Sequence, residues 1–415
     1  MQEEPGTVPG DPGDRPSFSA TARRVTLSGF PGGSALPKVL PFAPEVAVLG
    51  TGSALGSRRV DNKTLEGMVS GFDPASGDFS TWVERVTHIR SRQFCVEGET
   101  AGTMGTLAAQ RALEASGLSG EAVDLCIVCT FTPKELFPGD AVDIARSLNP
   151  RCGVFSIGAA CAGSVYGLAM AFGMVKSGLH RNVMVVGVEN LVLATNFADP
   201  LTAILFGDGA GAVLVGRREG GAPNTGFIDR VVLRHDHAPG TIMMDNANVA
   251  FPDRVVSGPL HATDATTLKR QYITMGGGPR VLRNAVNAMA ESTVNLLGYT
   301  MEDLKKGEPG LRSLLDELHF VPHQANGRIV DGLMEKLGMP EERVYRTIYH
   351  AGNMSAATNV YTLDYAVREG NLRRHENADG SVDIGPCGRR LQKGDLVILT
   401  TIGGGYIYGS VGFRL

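Results

Sequence analysis

The sequence predicts an α/β protein made of two similar halves. One observation is a repeated order of elements: short apolar strands alternate with helical patterns twice along the chain. Another is the character of those strands. Segments such as DLCIVCTF, NVMVVGVE and DLVILTTI are nearly continuous apolar runs, as expected of strands covered on both faces in a largely parallel sheet. A third is the segment CAGSVYGLAMAFGMVKSG, a helical pattern apolar almost all round, which belongs in the middle of a large protein.

The first 44 residues are rich in Pro, Gly and Ser and predict a surface-draped or disordered tail, with the ordered fold starting at Glu45. The first half, 45–225, reads strand DLCIVCTF, helix AVDIARSLN, strand GVFSIG, helix CAGSVYGLAMAFGMVKSG, strands NVMVVGVE and AGAVLVG. The second, 226–415, reads strand HFVP, helix ANGRIVDGLMEKLG, strand VYRTIY, helix NMSAATNVYTLDYAVREG, strands DLVILTTI and YIYGSVGFRL. Gly178, just past Lys176, is a candidate C-cap. The polar stretch 373–390 reads as a surface insertion, with a small hairpin around Asp379-Gly380. If the halves pack together, the helices after Cys161 and Asn353 begin near their junction.

Composition narrows the function. The chain has 415 residues, 43% hydrophobic and 20% charged, as in soluble globular proteins. A net charge of -4 provides no global basic field for nucleic acid. No run approaches the roughly 18 apolar residues of a membrane span, and the acidic start lacks the apolar core of a secretory signal. Six cysteines without framework spacing fit a reducing compartment. The expectation is a cytoplasmic protein with no membrane or nucleic-acid partner.

The candidate chemistry lies on three loops. Cys161, in SIGAACAGS, follows a strand and starts the apolar helix. Free backbone N–H groups and the helix dipole there favour a thiolate. Small neighbours leave room for a substrate. His323, in FVPHQAN, and Asn353, in HAGNMSA, each stand where a strand or turn gives way to a helix. Together they can serve as a nucleophile with acid/base and oxyanion partners. A buried structural cysteine, a satisfied histidine and an N-cap asparagine are the alternative readings.

Rival signals are weaker. Gly50-x-Gly52-x-x-x-Gly56 after VAVL suggests a dinucleotide loop, but the charged SRRVDN follows where a phosphate-binding helix should start. Cys126 and Cys129, three apart on one strand, point to opposite faces and predict packing roles. His235 and His237 have no further ligand nearby, so no metal site is expected.

The blocks AACAGSVYGLAMAFGMVKSG, LFGDGAGAVLVG, PHQANGRIVDGLMEKLG, GNMSAATNVYTLDYAVREG and GDLVILTTIGGGYIYGS, with LGTGSALGSRRVDN and LEGMV, resemble β-ketoacyl-ACP synthase III of the thiolase superfamily. The resemblance runs from about residue 45 to the C-terminus. It implies a duplicated five-layered αβαβα thiolase fold, a homodimer, and an acyltransferase without a cofactor. An acyl group would pass from CoA or an acyl carrier protein to Cys161. A Claisen condensation with a malonyl- or β-ketoacyl-thioester would follow, supported by His323 and Asn353. Acyl transfer to an alcohol or amine, and ketosynthase/cyclase joining of two chains, are the alternatives. The backbone N–H groups of Cys161 and Gly404 resemble the oxyanion hole. Trp82 resembles a tryptophan that stacks on the CoA adenine. Phe137 resembles a residue that enters the partner's acyl tunnel, Asn326 a pantetheine contact, and Arg328 a carrier-docking residue. Two family arginines near the nucleotide fall at Pro200 and Val86. Keeping all three polar groups argues against a purely structural homologue.

Overall fold

In the computed structural model, the described residues are 40–135, 137–236, 242–244, 272–275, 278–377 and 381–415. Two sheets carry the fold. The first has the strand order Val46–Leu55, Gly209–Arg217, Asn182–Glu189, Leu125–Cys129, Gly153–Ile157. Its last three strands run parallel, and the other two pairings are antiparallel. The second sheet repeats this plan with His319–Pro322 parallel to Leu396–Gly403, then Ile407–Arg414 and Gly226–Ile228 antiparallel.

One expected strand is reduced. VYRTIY contributes a single parallel bridge, Phe320 to Val344, and its end turns into the short helix Ile348–Ala351. The local reason is that its backbone groups bond side chains and not a second strand: the Arg346 N–H donates to Asn371 Oδ1 at 3.1 Å, and the Tyr345 carbonyl accepts from Gln324 Nε2 at 3.2 Å. The fold also begins before Glu45. Leu40 is buried, and Phe42–Ala43 adds a strand to the second sheet by pairing with Gly226–Ile228. Residues 1–39 of the expected tail lie outside the described residues.

Strand alternation creates the layers. Ile127, Val183, Val185 and Val213 face inward, with Val397, Leu399, Val411 and Phe413 opposite. Between them lie the helices Gly163–Lys176 and Thr358–Arg368, through Val165, Leu168, Phe172, Val360 and Leu363. Burial on both sides explains why the first of these helices has no polar face. On the outer face of the first sheet, Cys126, Val128, Met184 and Val186 pack on the helices Ala101–Ser116 and Asp140–Leu148. On the outer face of the second, Phe320, Leu396 and Ile398 pack on Gly278–Leu296 and Gly327–Leu337. The result is αβαβα. Each fully buried aliphatic or aromatic side chain here contributes about 1.5–3 kcal/mol of transfer free energy.

The weaker motifs resolve into packing. Cys126 faces the outer core and Cys129 the inner one, as expected for residues three apart. A side chain on Gly50 would meet the Ala112 carbonyl at 2.2 Å, and one on Gly52 the Ala108 carbonyl at 2.4 Å. Both glycines let a strand press on a helix; they do not form a phosphate loop. His235 is exposed at a strand end and His237 lies outside the described residues. Among the described residues no metal-ligand cluster forms. Gly178 adopts φ +77 and its N–H reaches the Val175 carbonyl, ending the first central helix as expected. The 373–390 segment holds the antiparallel pair Leu372–Glu376 and Val382–Pro386; the expected turn at Asp379-Gly380 lies outside the described residues. Among the described residues no helix is long and apolar enough to cross a membrane.

Candidate active site

The two central helices begin side by side. A side chain on Gly187, in the first sheet, would meet the Ala356 carbonyl at 2.4 Å, so only glycine lets the second helix start come this close. Each helix is preceded by a tight turn: Ala160–Ala162, which holds Cys161, and Ser355–Ala357, just after Asn353. Both turns hold a non-glycine residue at positive φ, Ala160 at 45° and Ser355 at 47°. Such strain, about 1–3 kcal/mol per residue, persists only where surrounding packing imposes it.

The second sheet locks these turns. The Thr401 hydroxyl donates to the Cys161 carbonyl at 3.0 Å. Gly403 leaves room for the backbone of residues 159–162: a side chain on it would sit 3.0 Å from the Cys161 nitrogen. The Asn359 amide donates to the Val321 and Thr400 carbonyls at 2.9 and 3.0 Å, and the His323 N–H donates to the same Thr400 carbonyl at 2.8 Å. Asn353 is fixed by its main chain, which forms a parallel bridge with Phe206. Its side-chain oxygen accepts from the Ser355 N–H at 2.8 Å, and its amide donates to the Ala325 carbonyl at 3.4 Å.

Cys161, His323 and Asn353 therefore line one small cavity of about 50 Å³, closed by Val281, Ala285, Ala325, Ile329, Ile402, Gly403 and Tyr406. The wall is mostly apolar. Among the described residues, both ring nitrogens of the fully buried His323 lack a hydrogen-bond partner. Burial alone drives the imidazole down to about 3, so it is neutral at neutral pH. Burial also pushes the Cys161 thiol up to about 11, with Ser355 opposing the shift and the charge of Glu189 adding to it. This corrects the expectation of a ready thiolate. The helix proper starts two residues after Cys161, and burial in an apolar cavity favours the thiol. The resting pair is a thiol and a neutral imidazole.

The other anticipated residues lie elsewhere. Gly404 opens the Gly404–Tyr406 turn next to the cavity and is half-buried, while Gly403 is the glycine that touches the Cys161 backbone. Asn326 caps the helix Gly327–Leu337 by accepting from the Arg328 N–H at 2.9 Å, and its amide donates to the Val86 carbonyl at 3.1 Å. Arg328 is exposed on that helix start. Half-buried Trp82 packs against Phe72 and Phe79, with ring centroids 5.0 and 5.9 Å away. Phe137 is 90% exposed. Pro200 opens the short helix Pro200–Ala203, capped by Asp199. The sequence reading missed Ser355, Thr401, Asn359 and Glu189. Glu189 carried a signal: it is an acidic residue ending an otherwise apolar strand.

Two sheets enclosing paired helices, with a cysteine and an asparagine where those helices start and a histidine just past a strand of the second sheet, define the thiolase-fold class of condensing enzymes. Profiles described as 3-oxoacyl-[acyl-carrier-protein (ACP)] synthase III and its C-terminal domain match residues 155–233 and 315–378. The chain is 34% identical over 370 residues to the β-ketoacyl-[acyl-carrier-protein] synthase III of Rhizorhabdus wittichii, covering 88% of this chain and 98% of that one. It is 35% identical over 368 residues to that of Sphingopyxis alaskensis, with the same coverage. The crystal structure of the Aquifex aeolicus synthase III superposes with a TM-score of 0.69 at 31% identity, over 89% of this chain and 100% of that one. The priming β-ketosynthase of the R1128 polyketide pathway gives 0.70 at 30%, over 91% and 98%. The chain belongs to the β-ketoacyl-[acyl-carrier-protein] synthase III family.

Proposed function

We propose that the protein is a condensing β-ketoacyl synthase of fatty-acid or polyketide metabolism, with Cys161 as its acyl-accepting nucleophile. The observation that carries this reading is the meeting of Cys161, His323 and Asn353 in one largely apolar cavity. In the first half-reaction the thiol sulfur attacks an acyl thioester carbonyl. The developing oxyanion takes hydrogen bonds from the N–H groups of Cys161 and Gly404; as it collapses the bond to the donor sulfur breaks, and the proton lost by Cys161 ends on that sulfur, which departs as the free thiol. In the second, a malonyl or β-ketoacyl unit enters. For a malonyl unit, decarboxylation leaves an enolate oxygen that neutral His323 and the Asn353 amide stabilise as donors. Its carbon attacks the acyl group and frees Cys161.

Because His323 acts as a neutral donor, its role does not titrate near the usual histidine value. Its depressed value means that the required form is already complete above about pH 5. Malonyl-thioester decarboxylation should therefore be flat from about pH 5.5 to 8. An inflection near about pH 6.5 that disappears in His323→Gln would show that the charge state matters and refute the neutral-donor reading.

We infer a homodimer. Gly153–Ile157 is an edge strand of the first sheet, with half-buried Val154, Phe155 and Ile157, and nearby chain carries the 90% exposed Phe137. An open apolar edge is a site for strand pairing. Light scattering at micromolar concentration should return a dimer; a fully active monomer would contradict it.

Carrier-protein thioesters should be better donors than free CoA thioesters. No cation stands at Pro200 or Val86, which forfeits cation–π attraction to a nucleotide of roughly 0.5–2 kcal/mol. Exposed Arg328 suits an acidic carrier. Comparing kcat/KM for one acyl group on CoA, on a carrier and on a pantetheine mimic tests this. CoA matching the carrier and exceeding the mimic a hundredfold would reverse the conclusion. It would turn attention to the groove between the helix Phe79–Thr87 and the hairpin, where Arg85, Arg90 and Arg374 converge.

A further inference from the structure

Apart from Cys161, His323 and Asn353, one polar side chain lines the cavity among the described residues: the phenol of Tyr406. Tyr406 is buried, and its ring belongs to the outer core of the second half with Ala285, Ile329 and Ile402. Its backbone lies in the left-handed region, at φ 52, where a tyrosine is strained and persists only when its surroundings impose it. Its carbonyl accepts from the Asp236 N–H at 3.0 Å, which holds the turn Gly404–Tyr406 from outside the cavity.

The phenol is also oriented. On the helix Gly278–Leu296, Val281, Asn284 and Ala285 share one face by their spacing, and Val281 and Ala285 line the cavity. The Asn284 amide donates to the Tyr406 phenol oxygen at 3.4 Å. With that oxygen serving as an acceptor, the O–H is left to donate elsewhere, and among the described residues nothing accepts from it. A buried donor without an acceptor is costly. The cavity therefore has a place for an acceptor oxygen brought by a substrate.

We propose that Tyr406 is a substrate-binding residue whose O–H donates to an oxygen on the third carbon of the acyl thioester that enters beside Cys161: the carboxylate of a malonyl unit or the ketone of a β-ketoacyl unit. Asn284 is its positioning residue. The thioester oxygen of the same unit goes to His323 and Asn353, which line the same small cavity. This role rests on the condensing function proposed above. It lets the site prefer an oxygenated unit over a plain alkyl one, which would leave the phenol unpaired. With a malonyl unit, the contact belongs to the ground state and disappears as carbon dioxide leaves. It therefore acts on KM and not on kcat.

Steady-state condensation by the full chain, beside self-acylation followed by intact mass, tests it. Tyr406→Phe keeps the ring and removes only the O–H. It should raise KM for a malonyl thioester about tenfold without lowering kcat, and weaken inhibition by a 3-oxobutyryl thioester by the same factor. A change confined to one of the two supports the proposal and identifies that unit as the one held. Self-acylation by a plain alkyl thioester should match wild type, because the Gly404–Tyr406 turn is intact. Unchanged constants for both units overturn the proposal. So does self-acylation that falls in parallel, which would make the hydroxyl a prop for the turn. If Tyr406→Phe fails to fold, Asn284→Ala supplies the test. A KM about threefold higher at unchanged self-acylation supports the proposal, and an unchanged KM overturns it. A wild-type enzyme that self-acylates but condenses neither unit overturns the condensing reading and this role with it, whereas active condensation indifferent to Tyr406→Phe overturns this role alone.

Discussion

Replacing Cys161 with alanine should abolish covalent acylation. Incubated with acyl-CoAs and acyl carrier proteins, the wild-type chain should gain the mass of one acyl group, and Cys161→Ala none. The effect is all or none because the described structure offers no substitute thiol. Cys126 and Cys129 are buried in the sheet, on opposite faces, and their thiols are pushed well up. Cys95, Cys152 and Cys387 are half-buried, with thiols also pushed up, and none lines the cavity. Alanine removes only a sulfur from a turn already built of alanines, so folding should survive, which a melting curve would check. Stoichiometric labelling of the folded mutant would overturn the nucleophile assignment.

His323→Ala and Asn353→Ala should separate the two half-reactions. Each removes one donor to the enolate oxygen, and the loss of such a donor costs roughly 10²–10³ in rate. Condensation should fall by that factor in either mutant. The double mutant should fall by less than the product, since both donors serve one oxygen. Self-acylation should survive substantially, because the backbone N–H groups that would hold its oxyanion remain. It should survive best in Asn353→Ala, whose amide has no part in moving the thiol proton. His323→Ala removes the sole imidazole beside a thiol that burial keeps protonated, so some loss is expected there. Single-turnover mass measurement of the acyl-enzyme, beside product formation from a malonyl thioester, separates the steps. Condensation at near wild-type rate in both mutants would refute the assignment. Asn353 also accepts from the Ser355 N–H, so its mutant needs a melting control.

Much of the fold was legible in the chain because its signals are local. Apolar runs without alternation belong to strands covered on both faces, and the repeated order of elements anticipated two matching sheets. The opposite faces of Cys126 and Cys129 follow from strand geometry alone. The failures have a tertiary cause. VYRTIY has the composition of a strand, but the side chains of Asn371 and Gln324 take up its backbone groups and leave it one bridge. Phe42–Ala43 looked like tail because its pairing partner, Gly226–Ile228, lies far along the chain.

The sequence by itself determined which residue types stand at the two central helix starts, and that those helices are apolar enough to lie between sheets. Periodicity and turn residues carry that information within a few residues of each site. Only the tertiary structure decided the ionisation of the site. A helix start read alone favours a thiolate, yet closure by Ile329, Ile402 and Tyr406 leaves a thiol and a neutral imidazole. Desolvation and through-space charge depend on what surrounds a group in three dimensions, and strands brought together by folding provide those surroundings.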